Sequence, residues 1–141
     1  MAGLNFLDAN VWMALIWDRH VHSGVARQWF EQGEDGKFFY CSFTQVAVLR
    51  LLTTESVMGR DTQTMVGAWN LWDRAVADGR IASVAEPAGL EAEFRSRSRL
   101  PSRSPKVWAD AYLLAFASAA GLRLVTFDGS LRSRGAHVLV L

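Results

Sequence analysis

Hydrophobic and polar positions along the chain switch between two periods, and the switches mark out the elements. Leu4-Asn5-Phe6-Leu7 is a short apolar run that stops at Asp8, as a buried strand does, and Ala9 to Trp17 then carries apolar residues at helical spacing. A second helical stretch runs from Ser23 to Glu34 and is broken by Gly33 and Gly36. Lys37 to Cys41 is aromatic-rich and reads as a second strand. Thr44 is the expected cap of the next helix, in which Val46, Val48, Leu49, Leu51 and Leu52 form a wide apolar face. Gly59 and Arg60 mark a loop. Asp61 is the expected N-cap of a long helix that reaches Asp78 and closes at Gly79. Ile81 to Val84 reads as a weak strand and Ala88 to Arg97 as a helix. Ser104 and Pro105 form the expected N-cap and first position of a helix that runs through Ala120 and ends at Gly121. Leu122 to Thr126 and Ala136 to Leu141 supply the last strands. Strands alternating with helices predict an α/β sandwich in which a mainly parallel sheet of about five strands is flanked by helices. No repeat or linker interrupts the pattern, so one domain over residues 1–141 is expected.

Composition narrows the setting. Half of the 141 residues are hydrophobic, enough for one core and too few for two ordinary domains. One cysteine, Cys41, excludes an intramolecular disulfide and fits a reducing cytoplasm. The start meets Asp8 before any signal-length apolar core develops, and no stretch has the roughly 18 apolar residues of a membrane span. The net charge of +1 hides an asymmetry. Residues 95–141 hold eight basic residues against two acids, Asp110 and Asp128. A nucleic acid is the first anionic partner to consider, with a plain solvated basic face as the alternative.

The chemistry sits with three aspartates. In an open parallel sheet, ligands bind beyond the carboxyl ends of the strands. Asp8 follows the first strand and Asp128 follows LRLVTF, while Asp110 lies near the start of the helix before that strand. A helix antiparallel to its following strand brings its first turn beside that strand's end, so the three carboxylates are expected on one edge of the sheet. Convergent carboxylates repel unless a cation neutralises them, and a hard cation such as Mg²⁺ or Mn²⁺ suits oxygen ligands. Each aspartate also has a simpler role open to it. Asp8 and Asp128 suit N-caps, and Asp110 suits an exposed helix position.

FLDANVW (6–12), CSFTQVAVLRLLT (41–53) and ADAYLLAFASAAGLRLVTFD (109–128) resemble PIN-domain ribonucleases of the VapC kind over nearly the whole chain. The resemblance implies a Mg²⁺- or Mn²⁺-dependent endoribonuclease, the toxin of a type II toxin–antitoxin pair. It also implies a homodimer inhibited by a cognate antitoxin. Asp8, Asp110 and Asp128 match the family's metal-binding acids. Thr126 matches a hydroxyl residue that orients a ligand or water, and Asn10 matches a polar position after the first acid. One position departs: where the family usually has a glutamate early in the third helix, this chain has Gln45, which offers a carbonyl oxygen without charge. That departure motivates a second reading, a catalytically weak or inactive PIN fold that binds RNA or a partner. A receiver-like signalling domain fits poorly, because Asp8 has no acidic neighbour and no lysine follows a late strand.

Arg97, Arg99, Arg103 and Lys106 lead into the Asp110 helix and are expected to grip RNA phosphates. His20 and His22 have no third ligand at zinc-like spacing and read as a surface loop. His137 reads as structural and Cys41 as buried. The six tryptophans are expected mostly in the core, with surplus apolar residues of the first two helices left for a dimer or antitoxin surface.

Overall fold

The computed structural model describes residues 3–33, 35–135 and 137–141. Five strands form one sheet in the order β3-β2-β1-β4-β5, with all four pairings parallel. They are β1 (Leu4–Leu7), β2 (Lys37–Tyr40), β3 (Ile81–Ser83), β4 (Arg123–Thr126) and β5 (Val138–Val140). Helices α1 (Ala9–Ile16), α2 (Ser23–Gln32), α3 (Ser42–Leu52), α4 (Glu55–Met58) and α5 (Met65–Val76) lie in the first part of the chain. Helices α6 (Leu90–Ser98) and α7 (Val107–Ala120) follow β3.

The alternation of side chains along each strand divides the core in two. Phe6 and Leu124 face a cluster built with Leu113, Leu114, Phe116 and Leu131, where Phe6 and Phe116 stack at 4.7 Å. Leu7 and Val125 face the other way, into a cluster with Trp12, Val48, Leu52 and Trp72. Helices α6 and α7 therefore cover one face and α1, α3 and α5 the other, which is the three-layer α/β arrangement the sequence pattern predicts. Among the described residues no helix is long and apolar enough to cross a membrane.

Several boundaries differ from expectation, each for a local reason. Cys41, not Thr44, is the N-cap of α3. Thr44 sits three residues in, and its hydroxyl oxygen accepts the Cys41 backbone N–H at 3.0 Å. Asp61 does not cap the long helix. It lies in a short 3₁₀ turn, accepts the Trp17 indole N–H at 2.9 Å and pairs with Arg19 at 3.3 Å, while Thr64 caps α5 through the Gly67 amide. Helix α5 ends at Val76, before Gly79. Ser104 and Pro105 form a turn ahead of α7, whose N-cap is Lys106. Gly121 ends α7 as expected, at a left-handed φ of 70°. On α3, Val48 and Leu52 are buried but Val46 is exposed, so the apolar face is narrower than its sequence suggests. Trp12 and Trp72 are core, whereas Trp69 and Trp108 are 45% and 59% exposed. The expected helix end at Glu34 and strand start at Ala136 lie outside the described residues.

Candidate active site

The strand order reverses at the β1–β4 pair: β2 and β3 extend to one side and β5 to the other. Asp8 lies one residue beyond β1, and its backbone N–H continues the ladder to the Val125 carbonyl at 2.9 Å. Asp128 lies two residues beyond β4 and caps a 3₁₀ turn (Gly129–Leu131). Asp110 occupies the first turn of α7. Register pairs Phe6 with Phe39, so β2 delivers the start of α3, and with it Gln45, to the same edge.

Both simpler roles of the carboxylates are realised, and both fix the side chains in place. Asp8 Oδ1 accepts the Ala9 amide at 2.7 Å and caps α1. Its other oxygen, Oδ2, accepts the hydroxyl of fully buried Thr126 at 2.8 Å. Thr126 Oγ1 in turn accepts the Asp128 amide at 3.0 Å and the Asn10 side-chain amide at 3.3 Å. Asn10 Oδ1 accepts the Phe127 amide at 3.2 Å. The expectation for Thr126 is sharpened: its proton goes to Asp8, so it positions that carboxylate. Asn10 ties α1 to the end of β4. Asp128 Oδ1 accepts both the amide and the hydroxyl of Ser130, at 2.9 and 2.7 Å.

The electrostatics separate the three acids. Burial raises the Asp8 carboxyl above its ordinary pKa, against the hydrogen bonds from Thr126 and Ala9, and repulsion from Asp110 and Asp128 adds to the rise. Burial and then Asp128 raise Asp110, partly offset by Arg134 and Lys106. Asp128 is lowered, chiefly by its hydrogen bonds from Ser130 and also by Lys106. The three acids thus stand within electrostatic reach of one another, with Lys106 and Arg134 nearby. Among the described residues no three His, Cys, Asp or Glu side chains form a ready-made metal cluster. Oxygen donors that repel one another fit a hard divalent cation, and Mg²⁺, which keeps several waters in its shell, need not touch every carboxylate directly.

The basic residues divide. Arg97 is held in the fold: it pairs with Glu93 at 3.1 Å and donates to the Arg134 carbonyl at 3.0 Å. Arg99, Arg103 and Lys106 are exposed. Arg134 is a neighbour of Asp110 that no motif singled out, and its signal was only the surplus of basic charge in the last third of the chain. The histidine loop does not stand apart from the site: His22 stacks on Phe127, between Thr126 and Asp128, with centroids 4.5 Å apart.

A parallel sheet with carboxylates just beyond β1 and β4 and a third on the adjoining helix makes this an α/β domain with an acidic edge at its switch point. The chain belongs to the PIN domain family, which it matches over residues 6–136. It is 40% identical over 139 residues to Ribonuclease VapC41 of Mycobacterium tuberculosis, covering 95% of each chain. Its fold matches the crystal structure of M. tuberculosis VapC20, described as a sarcin–ricin loop cleaving toxin. The TM-score there is 0.65 at 15% identity, over 93% of this chain and 95% of that one. It also matches VapBC2 from Rickettsia felis bound to a promoter DNA fragment, with a TM-score of 0.65 at 10% identity over 97% and 96% of the two chains.

Proposed function

We propose that this chain is a metal-dependent endoribonuclease and the toxin of a type II toxin–antitoxin pair, acting in the cytoplasm. The observation that carries the reading is the nearness of Asp8, Asp110 and Asp128 at the switch point of the sheet, where burial and mutual repulsion raise the carboxyls of Asp8 and Asp110 above their ordinary pKa. Family membership and the likeness to Ribonuclease VapC41 support it.

Asp8, Asp110 and Asp128 would hold Mg²⁺, or Mn²⁺ in its place, and Gln45 would turn a neutral carbonyl oxygen toward the same pocket. Such a cation, when bound, makes a water more acidic and offsets charge on the scissile phosphate. Thr126 fixes the orientation of Asp8, and Asn10 fixes Thr126. Lys106 and Arg134 draw the polyanion to the acidic edge, and Arg99 and Arg103 hold phosphates farther along the strand. Val46 on α3 and Met65, Val66 and Trp69 on α5 are exposed, a surface for a second copy or the antitoxin.

The binding-only alternative rests on Gln45. Cleavage of total cellular RNA by purified protein, with Mg²⁺ and then with EDTA, separates the two. Fragmentation only with the metal is the expected result. Calorimetric Mg²⁺ binding with no cleavage of any RNA would leave a binding module.

A further inference from the structure

A cavity between the starts of α3 and α7 is lined by aromatic side chains that the site described above does not use. It has a volume of about 640 Å³, and its walls include Phe43, Phe94, Trp108, Tyr112 and Glu86. Ala109 also lines it, and the next residue is Asp110. Phe43 and Tyr112 lie 4.7 Å apart, Phe94 and Tyr112 5.8 Å, and Phe94 and Trp108 6.0 Å, so the rings form one continuous wall. Its outer rings are open to solvent, Trp108 at 59% and Phe43 at 42% exposed, while Phe94 and Tyr112 back onto the core.

We infer that this cleft receives an unstacked nucleobase of the substrate strand next to the scissile phosphate, stacked on Trp108 and hydrogen-bonded to Glu86. The inference rests on the ribonuclease reading and names a specificity pocket for it. Three observations favour a base over an apolar side chain of a protein partner. Flat aromatic faces suit a base's π-system, which single-stranded RNA presents wherever its bases splay out. The acidic group of the wall, Glu86, is an acceptor for a base's N–H groups, as carboxylates are for the amine of cytosine. Tyr112 donates its hydroxyl to Glu86 Oε1 at 3.3 Å, which holds that acceptor in the cleft. Trp108 also borders a second cavity of about 240 Å³ that is lined by Arg103. A strand seated on Trp108 thus has the aromatic cleft on one side and the basic side chain of Arg103 on the other. Bases that carry an exocyclic amine, adenine and cytosine among them, should be favoured over uracil.

The test measures the affinity of labelled oligo-A, oligo-C and oligo-U in the Asp110→Asn background, where RNA survives. Cleavage by the otherwise wild-type chain is followed in parallel. Trp108→Ala should weaken binding of the preferred oligomer about tenfold, the scale of one lost base stack, and Trp108→Phe should recover most of it. Glu86→Ala should level the preference among the three oligomers. In cleavage, Trp108→Ala should raise KM with kcat little changed. Unchanged affinity and preference in Trp108→Ala and Glu86→Ala would overturn the pocket, and continued cleavage would leave the ribonuclease reading standing. Absent wild-type cleavage alongside the expected binding losses would do the reverse. If the variants weakened only the binding of a purified antitoxin, the cleft would be a protein-docking surface and the inference overturned.

Discussion

Strands β1 and β4 carry polar side chains at both of their ends, and the two ends treat them differently. At the amino end, Asn5 is 2% exposed, yet its carbonyl oxygen accepts from Arg123 Nε and Nη2 at 3.1 and 2.7 Å. Its amide donates to the Lys37 carbonyl at 3.3 Å. Donors meet acceptors, and the one formal charge, on Arg123, rests on a neutral amide oxygen, so this end serves stability. At the carboxyl end, one buried hydroxyl joins Asp8 to the backbone of Asp128, and a third acid stands beside them. Like charges are held together by a framework that does not neutralise them. The lesson is that hydrogen-bond satisfaction and the crowding of like charges are separate properties, and that a candidate site shows itself where the two coincide.

The sharpest way to break this contrast is to remove charge at the carboxyl end. Asp8→Asn or Asp110→Asn should lower RNA cleavage at least about a hundredfold, the scale of removing one group that stabilises transition-state charge. The fold should survive. A folded pKa raised above the unfolded one means that ionisation costs stability. That penalty is absent below the unfolded pKa, grows as pH rises through the folded pKa and is complete above it. In EDTA, Asp8→Asn removes that penalty but also the acceptor of the Thr126 hydroxyl, so its melting point should compare best with wild type at neutral pH and fall behind in acid. Full cleavage by either variant in Mg²⁺ would end the catalytic assignment.

The mirror experiment removes polarity at the amino end. Asn5→Leu strands the Arg123 guanidinium and should destabilise the protein by about 1–3 kcal/mol in denaturant melts. Cleavage per folded molecule should stay within about twofold, a small change on the free-energy scale. A loss of activity as large as that of Asp8→Asn would mean that the two ends are not distinct. A smaller effect is expected from Gln45→Glu, which adds charge at the carboxyl edge and should tighten Mg²⁺ binding in calorimetry. Unchanged affinity would place Gln45 outside the pocket. The smallest effect concerns the basic segment. Replacing Arg99 and Arg103 with Ala should flatten the plot of log RNA affinity against log salt by roughly 0.7 for each phosphate no longer held. Arg97→Ala, which breaks an internal tie, should lower thermal stability and leave the slope alone.

The sequence disclosed the carboxyl end better than its surroundings. Asp8 and Asp128 were legible because each follows an apolar strand, and Asp110 because one helix plus one strand separates it from Asp128. The division of the core between two helical layers follows from alternation along β1 and β4, whereas strand order is set by tertiary pairing. What stayed hidden depends on tertiary contact. Asp61 has every mark of an N-cap, but an indole and a guanidinium from the α1–α2 connection claim its carboxylate. Trp108 reads as core because tryptophan usually is; only the packing of α6 against α7 shows it at the edge of a cleft. Arg97 looks like its neighbours in an Arg/Ser run, and its role is set by Glu93 one helical turn earlier.

The capping role of Asp8 and Asp128 bears on how variants of this protein should be chosen. A carboxylate that also closes a helix or a turn enters two ledgers at once, folding and chemistry. Alanine at Asp8 would delete the α1 cap, a loss of about 1 kcal/mol, so a drop in activity could be mistaken for a drop in folded protein. Asparagine keeps the acceptor that the Ala9 amide needs, and it gives up the charge together with the oxygen that the Thr126 hydroxyl donates to. The same double use means that helix formation itself sets the rotamer of Asp8. The Asp8 carboxylate is thus oriented as a by-product of the chain reaching its native state.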